Sequence, residues 1–153
     1  MSADGQTNET IRAILTGTRR IALVGASARP YRPSHGVMRF LLERGFHVTP
    51  VNPGLAGQSI HGQKVVASLE EATPLEMVDL FRNSAYVGPV VDEAIRLGAK
   101  TVWMQLGVID RSAAERARQA GLTVVMDRCP VIEERRLGLR IGPQAQGTGP
   151  SRD

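Results

Sequence analysis

At 153 residues the chain is long enough for one domain with a real core, and 42% hydrophobic with 22% charged residues is ordinary for a globular protein. The formal charge of +4 is almost wholly arginine, with Lys64 and Lys100 as the lysines; the arginines are scattered and aromatic residues reach only 4%, which argues against nucleic acid and suits a small polyanion such as a phosphorylated cofactor. The single cysteine, Cys129, excludes an internal disulfide, no Cys/His cluster has zinc-site spacing, and no apolar run approaches the length that spans a bilayer.

The N-terminal "MSADGQTNETIRAIL" is polar and lacks the apolar stretch of a secretion signal. The expected setting is therefore reducing and cytoplasmic, with no membrane partner. Residues 8–17 have helical spacing at Ile11, Ile14 and Leu15, with Asn8 or Thr10 as the cap. "RIALVG" is a short buried strand ending at Gly25. Residues 34–45 predict a helix capped by Ser34 and stopped by Gly45. "FHVTPVN" is a second strand. Residues 54–74 predict a loop, a short extended piece and one helical turn started by Ser68.

"EMVDLFRN" is the third strand, followed by a helix opened by Ser84 and ended by Gly98. "KTVWMQLGV" is the fourth strand, "DRSAAERARQAG" a helix capped by Asp110, and "LTVVMDR" the fifth strand. "VIEERRLG" predicts a short turn. The domain is expected over residues 1–141, and the Gly/Pro/Gln-rich residues 142–153 as a disordered tail.

Apolar strands alternating with helices predict an α/β fold: one doubly wound parallel sheet of about five strands with helices on both faces. Right-handed crossovers lead to the expected order 3-2-1-4-5, with the ligand beyond the carboxyl ends of the strands, at the switch between strands 1 and 4.

The residues following each strand are therefore the candidates. Gly25 permits a tight turn, and Ala26 and Ser27 follow it; Ser27, Ser34, Arg29 and Arg32 can all donate to an anion. After the second strand come Val51, Asn52 and Pro53, with no acid to bind ribose hydroxyls as a nicotinamide cofactor requires. Asn52 can bond a base or ribose, or simply form an Asn-Pro turn. Phe81, Arg82 and Asn83 leave the third strand; Phe81 belongs to the core or to the cleft. Gln105 and Gly107 leave the fourth, and Trp103 is expected in the core. Cys129 follows the fifth strand and is expected as a plain buried or half-buried thiol. No carboxylate pair, Ser-His-Asp pattern or metal-ligand spacing is evident, so the residues do not argue for catalysis.

"VGAS" followed by "RPS", then "VNP", "DLFRNS", "WMQLGV" and "VMDRCP" in this order resemble the small stand-alone CoA-binding proteins, over roughly residues 10–140. These are single-domain relatives of the CoA-binding domain of the succinyl-CoA synthetase alpha subunit. The resemblance implies a Rossmann-like domain that holds coenzyme A, with no established reaction in most members. It implies Gly25, Ala26 and Ser27 at the pyrophosphate or pantetheine arm and Val51, Asn52 and Pro53 around the adenosine, helped by Phe81, Arg82 and Asn83. Gln105 and Gly107 fall nearer the pantetheine end.

His35 stands where the family often has Tyr. The synthetase's catalytic histidine belongs to a separate domain that this chain lacks, so that activity is not carried over. The expected function is binding of coenzyme A or an acyl-CoA without independent catalysis. An NAD(P)-linked or acyl-CoA-handling enzyme subunit is the alternative, and a homo-oligomer or a partner enzyme is left open.

Overall fold

The computed structural model describes residues 2–143. Five strands, β1 (Arg20–Val24), β2 (His47–Val51), β5 (Met77–Leu80), β6 (Thr101–Met104) and β7 (Thr123–Val125), form one parallel sheet. Two short strands, β3 (Ser59–Ile60) and β4 (Gln63–Lys64), pair as an antiparallel hairpin. The helices are α1 (Asn8–Gly17), α2 (Pro33–Glu43), α3 (Ser84–Arg96), α4 (Arg111–Gln119) and α5 (Pro130–Leu137).

Successive strand residues point to opposite faces, and the core is split accordingly. Ile21, Leu23, Met77, Trp103 and Val125 pack with residues of α1, α2 and α5 such as Leu15, Met38, Leu41 and Val131. Ala22, Val24, Val78, Leu80, Met104 and Val124 pack against α3 and α4 through Val87, Val91, Ala113 and Ala117. The fold is therefore the doubly wound, Rossmann-like α/β class that the alternation of strands and helices predicts, and Trp103 is in the core as expected. No helix among the described residues is long and apolar enough to cross a membrane.

The strand order is not the expected 3-2-1-4-5. The third principal strand, β5, lies beside β1 instead of outside β2, giving β2-β1-β5-β6-β7. Two sets of hydrogen bonds account for this. The outer edge of β2 is taken by Val66, whose N–H donates to the Pro50 carbonyl (3.0 Å) while its carbonyl accepts from Asn52 N (2.9 Å). Glu76, just before β5, accepts from the backbone N–H groups of Arg19 (2.9 Å) and Arg20 (2.7 Å), fastening the start of β5 to that of β1.

Several boundaries also differ from expectation. Arg32 is the cap residue of α2, with Pro33 in its first turn, so Ser34 is a buried first-turn residue and not the cap. Helix α3 opens at Ser84 as expected, with Asn83 as its cap accepting from Ala85 N at 2.9 Å. Thr7 caps α1 through Thr10 N (3.1 Å). Residues 131–138, expected as a short turn, fall largely within the eight-residue helix α5. Gly142, expected in the tail, is packed, and its N–H donates to the Leu15 carbonyl at 3.0 Å. The rest of the expected tail, from Gln144 onward, lies outside the described residues.

One residue breaks the apolar lining of the sheet. Asp79, in register with Leu23 and Trp103, is fully buried, and neither carboxyl oxygen has a hydrogen-bond partner among the described residues. Burial pushes this carboxyl well above the ordinary carboxylate range. The unfolded chain ionises it near pH 4, whereas the folded chain keeps it protonated to much higher pH. Stability is therefore lost as pH rises from that point, by about 1.4 kcal/mol per pH unit until the folded group itself ionises. Asparagine has nearly the same shape and cannot ionise. The melting temperature of Asp79→Asn relative to wild type is expected to climb as pH rises above about 4, and a pH-independent difference would contradict this account.

Gly25 closes β1 with φ +89°, and a Cβ there would stand 2.6 Å from the Phe81 carbonyl oxygen. Both the backbone angle and the space thus require glycine. Gly25→Ala is expected to cost on the order of 1–3 kcal/mol in denaturant unfolding, and a loss under about 0.5 kcal/mol, the scale of an ordinary surface change, would argue against it.

Candidate functional site

β1 leads into α2 on one face of the sheet, and its neighbour β5 leads into α3 on the other. The chain parts between these two exits, which makes them the switch point of the fold. It lies between the first and third principal strands, not between the first and fourth as expected. A cleft of about 790 Å³ opens there.

Of the residues singled out from the sequence, Gly25, Ala26, Ser27, Arg29, Arg32, Ser34, Asn52, Phe81, Arg82, Asn83, Gln105 and Gly107 line this cleft. Val51 and Pro53 do not. Val51 is buried in the core, and Pro53 is exposed at the start of the short 3-10 turn Pro53–Leu55. In their place Gly54 and Leu55 line the β2 end, and Ser84, Leu106 and Val108 join near α3 and β6. Phe81 does both things considered for it, packing on the core and lining the cleft. Cys129 is buried, as expected, and also lines the cleft.

The charge at this site is one-sided. Among the described residues no carboxylate lines the cleft, whereas Arg29, Arg32 and Arg82 do. None of the three makes an ion pair among the described residues, in contrast with Arg44, Arg116 and Arg128, whose carboxylate partners lie within 2.9 Å. They lean on aromatic side chains instead. Arg29 Nη1 donates to the Tyr31 hydroxyl at 3.0 Å, the Arg32 guanidinium lies 5.8 Å from the Tyr31 ring centre, and that of Arg82 lies 5.6 Å from the Tyr86 ring centre. Such contacts keep a cation oriented without neutralising it.

The polar side chains hold the cleft's walls together. Asn52 Nδ2 donates to the Ala26 carbonyl (2.8 Å) and its Oδ1 accepts from Gly54 N (2.8 Å), so one amide joins the exits of β1 and β2. Ser27 Oγ accepts from Arg29 N at 3.1 Å. Ser84 Oγ accepts from Ile109 N at 2.9 Å, tying α3 to the loop after β6. Asp127, at φ 59°, accepts from Gly107 N at 2.7 Å and joins the exits of β6 and β7.

The exit of β7 is anchored further by Arg128. Its guanidinium bonds Asp4 and Glu133, and its carbonyl accepts from Trp103 Nε1 at 2.8 Å. Burial alone would raise the Asp4 carboxyl, but Arg128 and the backbone N–H groups of Gln6 and Met126 outweigh it and hold the group at about 2. His35 does not line the cleft. Its ring packs against that of His61 at a tilt of 51°, ring centres 4.1 Å apart, and its carbonyl lies 2.8 Å from His61 Nε2. Burial, with the neighbouring His61 and Arg39, pushes the His35 imidazole down. Among the described residues no group of three or more His, Cys, Asp or Glu side chains converges to hold a metal ion.

Comparison with known proteins identifies the family. Residues 19–135 match the family described as CoA binding domain. The uncharacterized protein YneT of Bacillus subtilis (strain 168) is 37% identical over 120 residues, which is 78% of this chain and 87% of that protein. A hypothetical protein from Pyrococcus horikoshii OT3 superposes with a TM-score of 0.84 at 42% identity, covering 90% of this chain and 96% of its own. A Thermus thermophilus protein does so with a TM-score of 0.81 at 35% identity, covering 86% and 99%. With the family matched over most of its length, the chain belongs to the CoA-binding domain family.

Proposed function

We propose that the protein binds coenzyme A, free or acylated, in the cleft at the switch point and catalyses no reaction of its own. The observation that carries this is the set of three arginines without carboxylate partners in a cleft that no acid lines. A ligand with a pyrophosphate and a further phosphate matches them, because each guanidinium can bond phosphate bidentately. The turn at Gly25 brings backbone close to such an anion, and the uncapped start of α2 adds its positive dipole end.

The adenosine lies toward Asn52, Gly54 and Leu55, and the pantetheine arm runs past Phe81 toward Gln105 and Gly107. Membership of the family supports the ligand class. What supports binding over catalysis is the lining itself, which includes no histidine, lysine or carboxylate for general acid–base work. A nicotinamide dinucleotide is disfavoured for the same reason, since no acid follows β2 to take its ribose hydroxyls.

Calorimetric titration with coenzyme A, acetyl-CoA, NAD and NADP separates these ligands. Coenzyme A is expected to bind, and Arg82→Ala to weaken it roughly ten-fold or more, as loss of a charge-assisted hydrogen bond worth about 1.5–3 kcal/mol implies. Arg29→Ala and Arg32→Ala should act in the same direction, and added salt should weaken binding in wild type more than in the variants. Tight NAD binding with none for coenzyme A would overturn the proposal.

A further inference from the structure

We propose that Cys129 is a site of reversible disulfide formation with the thiol end of the bound ligand. This rests on coenzyme A binding as argued above and adds a covalent step to it. Cys129 is the single cysteine of the chain. It is 6% exposed and lines the cleft. It occupies the cap position of α5, but its side chain makes no cap hydrogen bond, so the helix does not use the sulfur.

A second residue points to what reaches this end of the cleft. Gln105 is 5% exposed and lines the same cleft, and its Oε1 is buried without a hydrogen-bond partner among the described residues. A buried amide oxygen with no donor is costly, and a ligand arm carrying amide N–H groups supplies one. Gln105 and Cys129 line the same cleft at adjacent strand exits, where Arg128 N donates to the Met104 carbonyl at 3.3 Å and Trp103 Nε1 donates to the Arg128 carbonyl. The exits of β1 and β7 are three strand spacings apart, about 14 Å at the usual distance between neighbouring strands. A ligand anchored by phosphate at the β1 turn therefore needs an extended arm to arrive here. An amide-bearing arm ending in sulfur meets both requirements.

The oxidant is the symmetric disulfide of the ligand, coenzyme A disulfide. The Cys129 thiol loses its proton to solvent, and the thiolate attacks one ligand sulfur. A Cys129 Sγ–S bond forms, the ligand S–S bond breaks, and one coenzyme A thiolate departs and takes up a proton. Cys129 and the retained coenzyme A sulfur end as a mixed disulfide, while the departing half is reduced. A small thiol reverses the exchange.

The test is intact-mass spectrometry of the full chain after incubation with coenzyme A disulfide or, separately, the same concentration of glutathione disulfide. With one cysteine present, any adduct that dithiothreitol removes is on Cys129. The expected result is one coenzyme A moiety per chain, formed at least ten-fold faster than the glutathione adduct, and slowed several-fold in Gln105→Ala. Cys129→Ser should form no adduct. Reversible binding of coenzyme A with no adduct, or equal rates with the two disulfides, would overturn the inference and leave the binding role standing. Absence of both adduct and reversible binding would remove the two together.

Discussion

The fold turns on one close approach, that of the Gly25 backbone to the Phe81 carbonyl. It is possible only because β1 and β5 are neighbours and because Gly25, at φ +89°, has no side chain to fill the gap. From that contact the two chains diverge, one into α2 and the other into α3, and the cleft is the space they leave. The Val66 edge of β2 and the Glu76 clamp on Arg19 and Arg20 keep β5 in this place. The two ends of the sheet thus do different work. The amino ends are locked by the half-buried Glu76 carboxylate, and the carboxyl ends are left open around glycine turns.

The electrostatic pattern follows the same division. Several arginines away from the cleft are ion-paired: Arg44 with Glu134 at 2.7 Å, Arg116 with Asp92 at 2.8 Å, and Arg128 with Asp4 and Glu133 at 2.9 Å. Those at the cleft are steadied by tyrosines, which leave their charge available. Three cations without carboxylate partners thereby meet where the backbone can also approach an anion. Asn52, Ser84 and Asp127 spend their polar groups on joining neighbouring loops, so the walls are set before a ligand arrives.

Much of this was legible in the sequence, for identifiable reasons. Apolar runs ending in Gly25, Asn52, Asn83 and Gly107 mark strand exits, and a doubly wound sheet brings exits to one edge whatever the strand order. That is why most candidate residues meet in the cleft although the order was misassigned. The order itself was not legible, because it depends on side-chain-to-backbone and loop-to-edge bonds made by Glu76 and Val66, and periodicity carries no information about which strand lies beside which. Val51 and Pro53 fall outside the cleft because Val51 is the last residue of β2 and packs into the core, while Pro53 is carried away by the tight turn Pro53–Leu55. Asp79, a carboxylate inside the apolar run "MVDL", is an anomaly that the local sequence pattern itself marks.

The central claim is that phosphate recognition occurs where β1 and β5 part. Backbone amide chemical shifts followed during titration with coenzyme A test it most directly. The account predicts that the largest changes cluster at Gly25, Ser27, Arg82 and Gly107, with α4 and the β3–β4 hairpin unaffected. Saturable binding whose largest changes fall on α4 or on the outer face of α1, with the β1 and β5 exits unmoved, would contradict it.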